Sequence, residues 1–250
     1  MSEIDIPSIK QRLWHRMRGD LTSLVPYFSD NDLLLCPTCF RRLGFEDFSV
    51  EHIIPKQALA CDPPEARLAI PQNERSGLTL LCRRPLIIKN RKIPGNGCNS
   101  WKGKYYDPSI REFIQSDLNE TIISTRHQIS LFSVGYLALF REFGYQISLL
   151  TSGLLMRSQY FNPNSFVKNI PVTSQIILAG EKISNYSENE RNYWSDPFKI
   201  TVNENSAQIV MRNACFSMPL SRDPRKPLAR SLLYVPPKYT FRPDLRTAFD

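Results

Sequence analysis

The sequence predicts an α+β protein, and three observations carry that expectation. Near the start, Ile9, Leu13 and Met17 recur at intervals of four, the spacing of one buried helix face. In the middle, short β-branched and aromatic runs are punctuated by proline, glycine and cysteine. Towards the end, two long helical stretches give way to several short strand-like runs. With 250 residues, 42% of them hydrophobic, the chain buries one large core or two smaller ones. Bulk stability therefore requires neither disulfide nor metal, and any metal is local.

Taken in order, residues 6–18 read as an amphipathic helix whose basic side is a solvated face. Phe48 to Ile54 has the composition of a strand, and Pro55 stops it. Pro63-Pro64, Pro71 and Pro94-Gly95-Asn96-Gly97 mark turns. Gly77 to Leu81 reads as a second strand ending in Cys82, and Cys98 stands just before a helix start. Thr121 to Phe143 and Gln146 to Tyr160 read as helices joined near Gly144, with Leu137, Phe140 and Phe143 available to a buried face. Ser174–Leu178, Phe198–Val202, Ala207–Met211 and Leu232–Val235 follow as strands, with a hairpin connection across residues 203–206. A Pro- and Arg-rich tail begins at Arg222, and no internal repeat is present. Composition divides the chain into an N-terminal helical segment (1–35), a motif-bearing module (36–105) and a C-terminal α+β region (106–250).

Charge is unevenly spread. Residues 36–104 hold 12 basic and 6 acidic side chains, which is +6 of the formal +8. A basic surplus on the motif-bearing segment points to a polyanionic partner, with nucleic acid ahead of a membrane. The opening residues are acidic and lack an apolar signal region, and no apolar stretch is long enough to span a bilayer. These features lead us to expect a reduced, cytoplasmic protein whose clustered cysteines bind metal and do not form disulfides.

The chemistry concentrates between Cys36 and Gly103. Cys36-Pro37-Thr38-Cys39 places two thiolates on one tight turn, and Cys82 and Cys98 are available to complete a four-thiolate zinc site. The competing reading makes Cys82 a buried core thiol. Cys61 and Cys215 read as ordinary thiols. His52, with an ordinary pKa near 6.5, is mostly neutral at pH 7 and able to take a proton from water. Beside it stands Glu51, and further on Asn99 at a helix start; their oxygens suit Mg2+ or Mn2+. Adjacent strand residues point to opposite faces, so Glu51 and His52 can share one metal only across a local twist or bulge.

As an ordered set, Cys36-Pro37-Thr38-Cys39, Glu51-His52-Ile53-Ile54-Pro55, Leu81-Cys82 and Cys98-Asn99-Ser100-Trp101-Lys102-Gly103 resemble the HNH endonuclease superfamily of the zinc-stabilised CxxC type. The resemblance covers roughly seventy residues. It implies a ββα-metal fold, His52 as general base, Glu51 and Asn99 as ligands of a catalytic Mg2+ or Mn2+, and the cysteines as ligands of a separate structural Zn2+. It further implies hydrolysis of DNA to 5′-phosphate and 3′-hydroxyl ends. Two departures stand out. The family has two residues between its last cysteines, where this chain inserts Arg83 to Gly97, including Arg83, Arg84, Lys89, Arg91 and Lys92 and no acidic residue. Gly77 stands where the family has its central asparagine, with Asn73 nearby as a substitute through another loop path.

These features lead us to expect a metal-dependent endonuclease acting on double-stranded DNA, similar in layout to restriction and anti-phage defence nucleases. The basic insertion and Lys102 are its expected phosphate contacts. Residues 106–250 are expected to select the target, restrain the nuclease, or dock a protein partner or a second copy. Two alternatives stand beside this reading: a zinc-stabilised nucleic-acid-binding module without catalysis, and an RNA-directed or partner-activated nuclease. His127, inside a predicted helix, and Trp101 are expected to pack.

Overall fold

The computed structural model describes residues 8–88, 91–92, 97–116, 124–149, 157, 160–161, 177–178, 182–203 and 206–219. The expected strand at Leu232–Val235, the tail from Arg222 and Lys89 lie outside the described residues, as do the first residues of the Thr121 helix and most of the second half of the Gln146–Tyr160 helix. The architecture is α+β, with small antiparallel sheets set among helices.

Helix α1 (Ile9–Leu24) starts one residue after Ser8, whose hydroxyl accepts from the Gln11 amide while the Gln11 side chain returns to Ser8, a reciprocal N-terminal cap. It runs past Arg18 because Leu21 extends the four-residue spacing, and Trp14, Met17 and Leu21 are buried. Short strands β1 (Leu34–Leu35) and β2 (Arg42–Leu43) flank the first cysteine pair. Then β3 (Phe48–His52) pairs antiparallel with β4 (Leu78–Cys82), from Phe48 opposite Cys82 to His52 opposite Leu78. Between them lie three short helices: α2 (Lys56–Leu59), α3 (Pro64–Ala69) and α4 (Gln72–Ser76).

The insertion after Cys82 forms a small antiparallel ladder, β5 (Ile87–Ile88) with β6 (Arg91–Lys92). Helix α5 (Gly97–Tyr105) then packs over β4, and α6 (Asp107–Gln115) follows it. The long helix α7 (Thr125–Phe143) is capped by Ser124 and His127, and α8 (Tyr145–Leu149) turns back from it. The last part contains α9 (Arg191–Ser195) and a four-stranded antiparallel sheet in the order β7 (Ile177–Leu178), β10 (Ala214–Pro219), β9 (Ser206–Met211), β8 (Lys199–Val202).

One continuous core joins these parts, from Trp14 and Leu21 of α1 through Phe48 and Leu80 to Leu137, Ile209 and Phe216. Gly135 permits the closest approach of α7 to β10, since a Cβ there would meet Met218 and Phe216 at 2.9 Å. A smaller cluster sets Trp194 of α9 against Ala66 and Ile70. Among the described residues no helix is long and apolar enough to cross a membrane.

Candidate active site and cysteine centre

The Cys36–Cys39 turn is closed by backbone bonds from Phe40 N to Cys36 O (2.9 Å) and from Cys36 N to Arg41 O (3.0 Å), with Phe40 in the left-handed region at φ 63°. Its two sulfurs and that of Cys98 lie within 4.8 Å of one another, a cluster able to bind a metal ion. Cys36 and Cys98 approach to 3.7 Å. Cys82, the fourth expected ligand, lies alongside: its backbone amide donates to Cys36 Sγ (3.4 Å), but its sulfur is not part of that cluster and accepts from Arg41. All four are buried.

The fifteen-residue insertion does not separate the second pair in space. Gly97 turns the chain at φ 74°, and a Cβ on it would strike the carbonyl oxygens of Cys82 and Arg84. The excursion leaves and re-enters at one point, and Cys98 is delivered beside Cys82. From below, the Tyr136 hydroxyl donates to Pro37 O and the Tyr145 hydroxyl to Leu35 O. Helices α7 and α8 thereby hold the cysteine turn.

Sequence reasoning missed Arg41. Its guanidinium donates to Cys82 Sγ at 2.9 Å and to Cys39 Sγ at 3.4 Å, and also to the carbonyls of Arg84 and Pro85. Hydrogen bonds from Cys39 and Cys98, helped by Arg41, push the Cys82 pKa down, whereas burial pushes the Cys36 thiol up to about 11. Clustered thiolates repel, and a fixed cation at their edge offsets part of that repulsion. A basic residue two positions after a CxxC was the only available signal.

At the other end of β3, the unbroken register sends Glu51 and His52 to opposite faces. Glu51, 4% exposed, meets the Lys102 ammonium at 2.8 Å. Asn99 lies against the same strand, its Nδ2 donating to Ser49 Oγ (3.2 Å) and Val50 O (3.3 Å). With the amide nitrogen so held, Oδ1 is the atom Asn99 can offer a cation. His52, half-buried, places Nε2 3.2 Å from Asn73 Oδ1. An amide oxygen only accepts, so Nε2 carries the proton and Nδ1 keeps its lone pair. Asn73, and not Gly77, is thus the asparagine beside His52. Burial, and then the charge of Lys56, lower the His52 pKa from its ordinary value, which keeps the imidazole neutral at pH 7.

Lys102 corrects an expectation. Instead of reaching a phosphate, its ammonium is fully buried, ion-paired with Glu51 and with Asp107 (2.6 Å), and donates to His52 O (3.1 Å). Burial opposes its charge, but the two carboxylates outweigh that and raise its pKa; burial also raises that of Glu51. Asp107, at the start of α6, belongs to no motif and was not anticipated. Lys102→Met should leave the buried Glu51 carboxylate without its cation and beside the partly exposed Asp107, at a cost of about 3–5 kcal/mol read from the denaturant midpoint. A midpoint matching wild type would show that the trio is not held as described.

Within the insertion, Arg83 and Arg84 are exposed, and Arg84 is ion-paired with Asp47. Arg91 and Lys92 lie on β6, and Lys89 lies outside the described residues. His127 is buried against Phe113, with Glu112 Oε2 3.6 Å from its Nε2, consistent with packing. No protein-family model, curated protein or solved structure matches this chain.

Proposed function

We propose that the chain is a metal-dependent DNA endonuclease of the HNH type, with β3, β4 and α5 as its ββα-metal module. The observation that carries this reading is the hydrogen bond from His52 Nε2 to Asn73 Oδ1 at the end of β3, which leaves Nδ1 as a neutral base. On the opposite face of β3, Glu51 and Asn99 offer the hard oxygens that a divalent ion prefers. Their surroundings fit a cation, because Glu51, Lys102 and Asp107 together carry one more negative charge than positive.

In-line hydrolysis places the attacking water and the leaving oxygen on opposite sides of phosphorus. A base and a metal-ligand pair therefore act from two sides of the phosphate, and with His52 and Glu51 on opposite faces of β3 that phosphate would have to lie across the end of the strand. His52 Nδ1 takes the proton of the attacking water, and Asn73 holds the ring that receives it. Glu51 and Asn99 would hold Mg2+ or Mn2+, which supplies charge stabilisation to the phosphoryl and leaving 3′ oxygens. Cys36, Cys39, Cys82 and Cys98 are assigned to a structural Zn2+, for which four thiolates are a preferred ligand set. Arg83 and Arg84, both exposed, supply basic side chains for the duplex backbone.

One observation favours a second reading. Glu51 is already engaged by Lys102, as a purely structural carboxylate would be, which suits a zinc-stabilised nucleic-acid-binding module without catalysis. Incubation with supercoiled plasmid decides between them. Nicking that appears with Mg2+ and stops with chelator supports the endonuclease; retention of DNA without nicking supports the binding module.

A further inference from the structure

Arg212 sits in the β9–β10 turn at φ 58°, a left-handed backbone conformation uncommon for a residue other than glycine or asparagine. The turn carries its side chain inward, where only 5% remains exposed. There Nη1 donates to Tyr193 O (2.8 Å) and Trp194 O (3.4 Å), and the guanidinium lies 4.7 Å from the Trp194 ring centre. Its Nη2 meets Asp62 Oδ2 at 3.1 Å. That same oxygen accepts from Arg75 Nη1 in a fully enclosed ion pair. Arg75 also donates to Ile70 O (3.1 Å) and Leu59 O (3.2 Å).

Arg75 lies on α4, two residues from Asn73. A five-residue helix is too short to hold its own orientation, so tertiary contacts must set it. Its C-terminal end is pinned to the end of β3 by Ile54 N to Ser76 O (2.9 Å) and Ile53 N to Gly77 O (3.0 Å). What these backbone bonds leave open is the tilt of the turn carrying Asn73, and two side chains anchor it: Ser76, whose hydroxyl donates to Asn73 O (3.1 Å), and Arg75, which ties the turn to Asp62. We infer that Arg212 is a positioning residue for His52, acting through Asp62 and Arg75 on α4 and hence on the Asn73 hydrogen bond. The C-terminal sheet thereby braces the general base, an effect that rests on the reading of His52 given above.

The test uses the full chain with the variants Arg212→Met, Arg212→Lys, Asn73→Ala and the double variant Arg212→Met/Asn73→Ala. Plasmid nicking with Mg2+ gives kcat and KM, and ring 15N spectra report the tautomer of His52, with His15 as an internal reference. Arg212→Met should lower kcat about tenfold, as misplacement of a catalytic group does, and leave KM within about twofold. Arg212→Lys should recover part of that loss. The double variant should be no slower than Asn73→Ala alone, because both act on one hydrogen bond. The His52 signals should move in Arg212→Met in the direction seen for Asn73→Ala. Losses that multiply in the double variant, or a wild-type kcat with unmoved His52 signals, overturn the inference. If Arg212→Met does not fold, Arg212→Lys carries the same comparison. Should the wild type fail to nick, the nuclease reading falls, while the His52 ring signals still decide the coupling.

Discussion

His52→Ala is expected to lower plasmid nicking by about a hundredfold to ten-thousandfold, the range lost when a positioned general base is removed. The His52 side chain is half-buried and, among the described residues, its one side-chain hydrogen bond is to Asn73, so its loss should leave the fold and the metal content of the cysteine centre unchanged. The measurement is the rate at which supercoiled plasmid becomes open circle with Mg2+, comparing wild type with the variant at equal DNA occupancy. Loss of cutting with retained DNA binding separates a chemical role from a binding role. A variant that nicks at the wild-type rate would remove His52 from the mechanism.

Disrupting the cysteine centre is the second large effect. Purified protein should contain about one zinc per chain, and Cys98→Ser should lose it. Structural zinc contributes on the order of 10 kcal/mol of apparent binding free energy at neutral pH. Its removal should therefore collapse the thermal transition, since the sulfurs lie inside the same core as Leu35, Phe40 and Leu81. Gly97→Ala is the sharper probe, because all four thiols remain chemically intact. Its methyl group would strike the Cys82 and Arg84 carbonyls at a φ of 74°, so Cys98 should be driven from Cys82 and zinc lost with it. A fully folded, zinc-free protein would refute the assignment.

Much of this was readable from residue order. The spacing of Ile9, Leu13 and Met17 located α1, and alternating runs located β8 and β9 with their connection at residues 203–206. The cluster of Cys36, Cys39 and Cys98 was legible because a metal site needs particular side chains in a recognisable order. What escaped was of a different kind. Pro64 and Pro71 were read as turn markers, yet they stand at the starts of α3 and α4, where a missing N–H does no harm. Lys102 looked like a surface cation because its burial depends on Glu51 and Asp107, which arrive from separate elements. Arg75, Asp62 and Arg212 meet across 150 positions of sequence, and no local pattern announces such a meeting.

The closure of the insertion on Gly97 separates distance along the chain from distance between ligands. Two cysteines that lie far apart in sequence are held close in space, because the segment between them begins and ends at the same spot. Lengthening such a segment is inexpensive; each doubling of a flexible loop costs only about 0.6 kcal/mol in closure entropy. The junction at Gly97 therefore decouples the length of the intervening segment from the position of Cys98. Spacing along the chain is, for such a centre, a weaker guide than the point at which the chain crosses itself.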